Sequence, residues 1–138
     1  MKIRAIRSTA ICVVALTGCS SGKDMSVAEA QVPVFHQQMV AQNFDDIYAQ
    51  SDDILKRAAT SKELTSLLEA VNRKLGSVTE ATRTGWRVNY GTGGEVVTLQ
   101  YDTHFARGKG VETFVYQINH NKALLAGYHI TSNELIIN

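Results

Sequence analysis

The chain has 138 residues, with 14 Lys+Arg against 13 Asp+Glu and a formal charge of +1. That length suits one domain with its own core and not two. The even balance, with no long basic stripe, argues against a nucleic-acid interface and against adhesion to anionic lipid by charge alone.

Lys2, Arg4 and Arg7 make a basic start, and residues 8–16 form a short apolar core. Such a run is too short to span a bilayer, which takes about 20 residues, and with these flanks it reads as a secretory signal. It closes on Leu16-Thr17-Gly18-Cys19, which resembles the bacterial lipobox. The resemblance implies cleavage before Cys19 and acylation of its sulfur. The competing reading is an ordinary signal cut elsewhere, with an odd cysteine left over. The expected division is a lipoprotein signal over 1–18, the lipidated cysteine and a tether over 19–27, and a single domain over 28–138. Loss of three basic residues leaves 11 against 13 acidic, a charge of about −2 with His neutral. Cys12 departs with the signal and Cys19 is consumed by lipid. The domain is then left without thiol or disulfide.

Residues 20–23 are small and polar, as a tether requires. Ser26-Val27-Ala28-Glu29 has the spacing of a capping box and predicts a helix with Phe35, Met39 and Val40 on one side. Pro33 either kinks this helix or begins it. Asn43 is placed to cap a second helix carrying Phe44, Ile47, Tyr48, Leu55 and Ala58 at helical spacing. Alternatively, Ser51 with Asp52-Asp53 caps a fresh helix after a break. Thr60-Ser61-Lys62-Glu63 is another capping box. It opens a third helix with Leu64, Leu67, Leu68, Val71 and Leu75 as its buried face. Arg73 and Lys74 suit its last turn, and Gly76 follows as the C′ glycine.

From Ser77 the period changes to 2. Four strands are expected, with Trp86, Val88 and Tyr90 inward in the first and Val97, Leu99, Tyr101 and Thr103 in the second. Phe114, Tyr116 and Ile118 follow in the third, and Leu124, Ala126, Tyr128 and Ile130 in the fourth. Turns fall at residues 91–94, 106–110 and around His120-Asn121. Helices followed by short-turned antiparallel strands read as α+β, with the helices covering one face of a curved four-stranded sheet.

Phe44…Ile47-Tyr48, Leu75-Gly76, Trp86-Arg87-Val88 and Gly127-Tyr128-His129-Ile130 resemble small bacterial lipoproteins of uncharacterised function with a cystatin-like, nuclear-transport-factor-like roll. The resemblance spans about residues 29–138 and implies helices packed on a curved sheet. Some members of that wider fold hold ligands or act as enzymes in the cone between helix and sheet. The resemblance carries no catalytic residue over to this chain.

The chemical constellations are sparse. Asp45-Asp46 and Asp52-Asp53 are paired carboxylates, but neighbours on a helix point about 100° apart, and acids there suit a helix N-terminus. His36, His104, His120 and His129 have no metal-ligand spacing. His104, His129 and Asp102 share the polar side of their strands, so they form a candidate ligand or partner face if those strands are neighbours. Scattered surface histidines are the plainer reading. Tyr48, Trp86, Tyr90, Tyr101, Tyr116 and Tyr128 line either a ligand cone or an ordinary core. No nucleophile elbow, P-loop or zincin motif is present.

The sequence therefore predicts a lipid-anchored envelope protein held in the bilayer through acylated Cys19. It predicts a non-enzymatic binding module, immunity-like or inhibitory, with an envelope protein as partner and no metal, cofactor or nucleic acid. Ser20 beside the cysteine, with no aspartate there, points to an outer membrane and a domain facing the periplasm. The alternative is a carrier or small enzyme using a cavity between helices and sheet.

Overall fold

The computed structural model describes residues 20–137. The signal, Cys12 and Cys19 lie outside them. Five helices come first: α1 Ser20–Glu29, α2 Gln31–Val40, α3 Phe44–Ala49, α4 Asp53–Ala58 and α5 Ser61–Leu75. Then come β1 Val78–Gly91, β2 Gly94–Phe105, β3 Gly108–Asn119, β4 Lys122–Thr131 and a short α6 Asn133–Ile137. The strands form one antiparallel sheet in the order β1-β2-β3-β4, not closed into a barrel, so the fold is α+β with helices packed on one sheet face.

The start of the chain departs from expectation. Residues 20–27 are helical rather than a tether, and Asp24 and Ala28 are already buried. Ser26 is not a cap: its hydroxyl donates to the Gly22 carbonyl at 2.9 Å, inside α1. Glu29 instead reaches Arg83 of β1, with Nε 3.4 Å from Oε1. Pro33 sits in the first turn of α2, where its missing N–H costs nothing. Its ring excludes the carbonyl four residues back, at Glu29, where α1 ends. Val40, expected on the apolar side, is exposed.

The break after Ser51 follows the alternative reading, but Ser51 is not the cap: its hydroxyl donates to the Ile47 carbonyl at 2.6 Å. Asp52 caps α4, accepting from the Ile54 N–H at 2.8 Å, and its own N–H reaches Leu125 of β4 at 2.8 Å. Helix α5 has the full capping box between Thr60 and Glu63, and Gly76 ends it at φ 78°. Leu64, Leu68, Val71 and Leu75 are buried, but Leu67 is 39% exposed, because it lies on the margin of the stripe rather than within it. The Arg107 guanidinium, from the β2–β3 turn, donates to the Asn72, Arg73 and Lys74 carbonyls and so caps α5 from outside.

Three irregularities interrupt the ladders of the sheet. In β1 the ladder shifts between Val78 and Glu80 and again between Arg83 and Gly85. In β4 the partners of Val115 and Tyr116 are Gly127 and Leu125, so Ala126 is the extra residue of a bulge. The bulge puts Ala123 and Leu125 inward instead of Leu124, and corrects the simple alternation predicted for β4. The β3–β4 turn has positive φ at both His120 and Asn121, as a two-residue hairpin loop requires. Phe35 of α2, Phe114 of β3 and Tyr128 of β4 meet at the centre of the core, with ring centroids 4.8–5.3 Å apart.

Candidate functional site

Polar side chains gather in two places, one inside the core and one on the open face. The inner cluster centres on Glu112 of β3, which is 1% exposed and in phase with Phe114, Tyr116 and Ile118. Its Oε2 lies 2.8 Å from His36 Nε2 and accepts from the Thr103 hydroxyl at 2.7 Å. Its Oε1 accepts from the Tyr128 hydroxyl at 2.7 Å. Burial, and then the facing Glu112, push the Tyr128 phenol well up, so it stays a donor. One carboxyl group thus ties α2, β2 and β4 to β3.

An imidazole oriented by a carboxylate is the usual form of a general base. Here it has no room for a substrate. The space beside it, lined by His36, Asn72, Ser77 and Glu112, measures about 10 Å³, one water at most. The groove between α2, α3 and β4 measures about 100 Å³, well below the roughly 300 Å³ where ligand pockets begin. Tyr116 lines its floor, buried, with a hydroxyl that has no hydrogen-bond partner.

The outer cluster lies at the end of the sheet near the β2–β3 turn. A cleft of about 360 Å³ is lined there by Asp102 and His104 of β2, Lys109 of β3, Thr131 of β4, and Ser132 and Glu134 at the start of α6. Lys109 is the register partner of His104, and Val111 stands between Asp102 and Thr131. The Ser132 hydroxyl sits 2.7 Å from the Lys109 carbonyl and 2.8 Å from Glu134 Oε2. Hydrogen bonds from Ser132 and backbone hold the Glu134 carboxyl below its ordinary range, with Lys109 adding to them. The cleft presents two acids, one cation and one imidazole, all open to water.

Of the residues expected to form a face, Asp102 and His104 share this cleft. His129 lies on the same side of the sheet but outside it, opposite Thr113, with Nε2 3.2 Å from the Thr131 hydroxyl. Among the described residues no three His, Cys, Asp or Glu side chains are grouped to hold a metal. Asp45, Asp46 and Asp53 occupy first turns of helices. Trp86 and Tyr90, expected inside, are 59% and 65% exposed. His36 and Glu112 were missed. The one readable signal was a glutamate in inward phase on an apolar strand.

No family model matches the chain, and no curated protein matches it. Among the described residues no helix is long and apolar enough to cross a membrane.

Proposed function

We propose that this chain is a lipid-anchored envelope protein that works through its surface, as a protein-interaction module. The observation that carries the reading is the contrast between a filled interior and an open, mixed-charge cleft at one end of the sheet. The cleft fits a polar partner surface, since interface rims are polar and carry paired charges. The rival reading, a carrier or enzyme using the space between helices and sheet, has two grooves to draw on. They measure about 100 Å³ between α2, α3 and β4 and about 260 Å³ between α4, α5 and β4, both below the roughly 300 Å³ where ligand pockets begin.

The anchor reading rests on Leu16-Thr17-Gly18-Cys19 and gains from the position of α1, which begins at the next residue. Asp24 of α1 interacts with Glu95, at the start of β2 beside the β1–β2 turn. The cleft is at the opposite end, by the β2–β3 turn. A bilayer holding Cys19 would therefore leave the cleft facing away from it.

Two experiments test this. Cys19→Ser is expected to release the protein from the membrane fraction or leave it uncleaved, and membrane retention of a correctly processed Ser variant would refute the anchor. For the module, a photo-crosslinking residue at position 104 or 109 should trap one partner in intact cells, and one at position 62 should not. Identical patterns from all three positions would sink the cleft as a partner face.

A further inference from the structure

The inner side of β1 carries two large rings, Trp86 and Tyr90, that the helices leave exposed, with Val88 between them half-buried against the core. Arg83, Trp86, Val88 and Tyr90 are the register partners of Tyr101, Leu99, Val97 and Glu95. The partners Tyr101, Leu99 and Val97 are buried under the helices. Helix α1 lies alongside: the Arg83 guanidinium reaches Met25 Sδ at 3.2 Å and Glu29, while Glu95 meets Asp24. It packs over β2, β3 and β4 and meets β1 through Arg83, short of Trp86 and Tyr90. Trp86 and Tyr90 therefore stand beside the helix, exposed, and neither ring packs on another aromatic side chain. They are four strand positions apart, about 13 Å.

We infer that the exposed rings of Trp86 and Tyr90 rest in the headgroup layer of the membrane that holds the acyl chains of Cys19. The inference rests on the anchor reading above and adds an orientation to it. Its first support is reach. Asp24, beside Glu95 and hence beside Tyr90, is only four residues from Ser20, about 6 Å of helix rise. With the helix running from Ser20 there is no tether to lift the domain away. Its second support is side-chain type. Tryptophan and tyrosine, each apolar with one polar edge, concentrate at the boundary between hydrocarbon and water. A second copy of the chain pairing along β1 would use the backbone edge, where the Arg83–Gly85 bulge breaks the ladder.

Trp86 is the only tryptophan in the chain, so its emission reads this contact directly. The full chain, expressed in a bacterium that processes lipoproteins and with acylation checked by mass spectrometry, would be placed in vesicles of phosphatidylethanolamine and phosphatidylglycerol. Parallel vesicles would carry brominated acyl chains. The expected result is blue-shifted emission, loss of the larger part of it in brominated vesicles, and protection from aqueous iodide. Acylated, vesicle-bound protein whose Trp86 ignores bromine and is fully quenched by iodide would overturn the orientation and leave the anchor standing. A blue shift that grows with protein concentration and ignores bromine would assign the rings to a second copy and overturn the inference. A chain that is never acylated and stays in the aqueous phase would remove the anchor and this inference together.

Discussion

Glu112 and Asp102 stand on neighbouring strands, one residue apart in register, and face opposite ways. Tyr101 is the partner of Glu112, and Val111 is the partner of Asp102. Glu112 points into the core, 1% exposed, and accepts from three side chains on three different elements. Asp102 points out into the open cleft. Two carboxylates of similar chemistry thus do opposite work. The inner one, its lone pairs occupied and its surroundings closed, fixes where α2 sits on the sheet. The outer one, solvated and free to turn, contributes only to whatever meets that face. Burial and partners, not residue type, separate a structural acid from an available one.

The largest expected effect follows from removing the inner one. Glu112→Ala leaves His36, Thr103 and Tyr128 in a closed site without their acceptor. Breaking a buried pair of this kind costs about 3–5 kcal/mol. Chemical denaturation should show a steep fall in midpoint, while Asp102→Ala should stay within roughly 0.5 kcal/mol of the parent. Similar losses from both would mean the inner cluster does not hold the fold together. A sharper version replaces the whole cluster with apolar residues, as His36→Leu, Thr103→Val, Glu112→Met and Tyr128→Phe together. That variant should be more stable than Glu112→Ala alone, because no polar group is then left unpaired.

A second contrast, next in size, lies within α5. Leu68 is fully buried and Leu67 is 39% exposed, although they are adjacent and chemically identical. Leu68→Ala should cost about 2–5 kcal/mol through lost burial and the cavity left behind. Leu67→Ala should cost well under half of that, and Lys62→Ala, on the solvent side, close to nothing. Equal losses at 67 and 68 would show that α5 turns a different face to the sheet.

The same pair shows what the sequence could and could not reveal. Helix α5 was legible because its capping box, apolar period and C′ glycine all agree, and agreement between local signals is what specifies an element. Ser26-Val27-Ala28-Glu29 has the same spacing and failed. Without a break before Ser26 the chain stays helical and Ser26 bonds back to Gly22. The first three strands were legible in phase, but phase says which side a residue takes and not whether that side is covered. Trp86 and Tyr90 are on the expected side of β1 and still exposed, since α1 meets β1 at Arg83 and not beyond it. In β4 a single extra residue, Ala126, reverses the phase, and nothing in an alternating apolar run marks it. Of the candidate face, His104 and Asp102 meet because they are two residues apart on one strand. His36 and Glu112 are 76 residues apart, and no spacing rule reaches that far.

The smallest predicted effect concerns a third acid, Glu95, which stands between the other two in burial. One of its oxygens is buried without a hydrogen-bond partner in the fold. Burial first, then the neighbouring Asp24, raise its carboxyl above the ordinary value of 4.5, and a bond from Tyr90 offsets part of this. A group whose folded value is raised favours the fold while it is protonated. Its contribution is full below about pH 4.5 and is lost as pH climbs through the raised value. At pH 7 the native chain therefore carries a strained carboxylate that Glu95→Gln removes. The Gln variant should unfold at slightly higher denaturant than the parent at pH 7, and the gap should close as the buffer is taken to pH 4. A gap of constant size across that range would mean that the environment of Glu95, partly open to water, is as polar as the unfolded chain's, and that the crowding against Asp24 is relieved in solution.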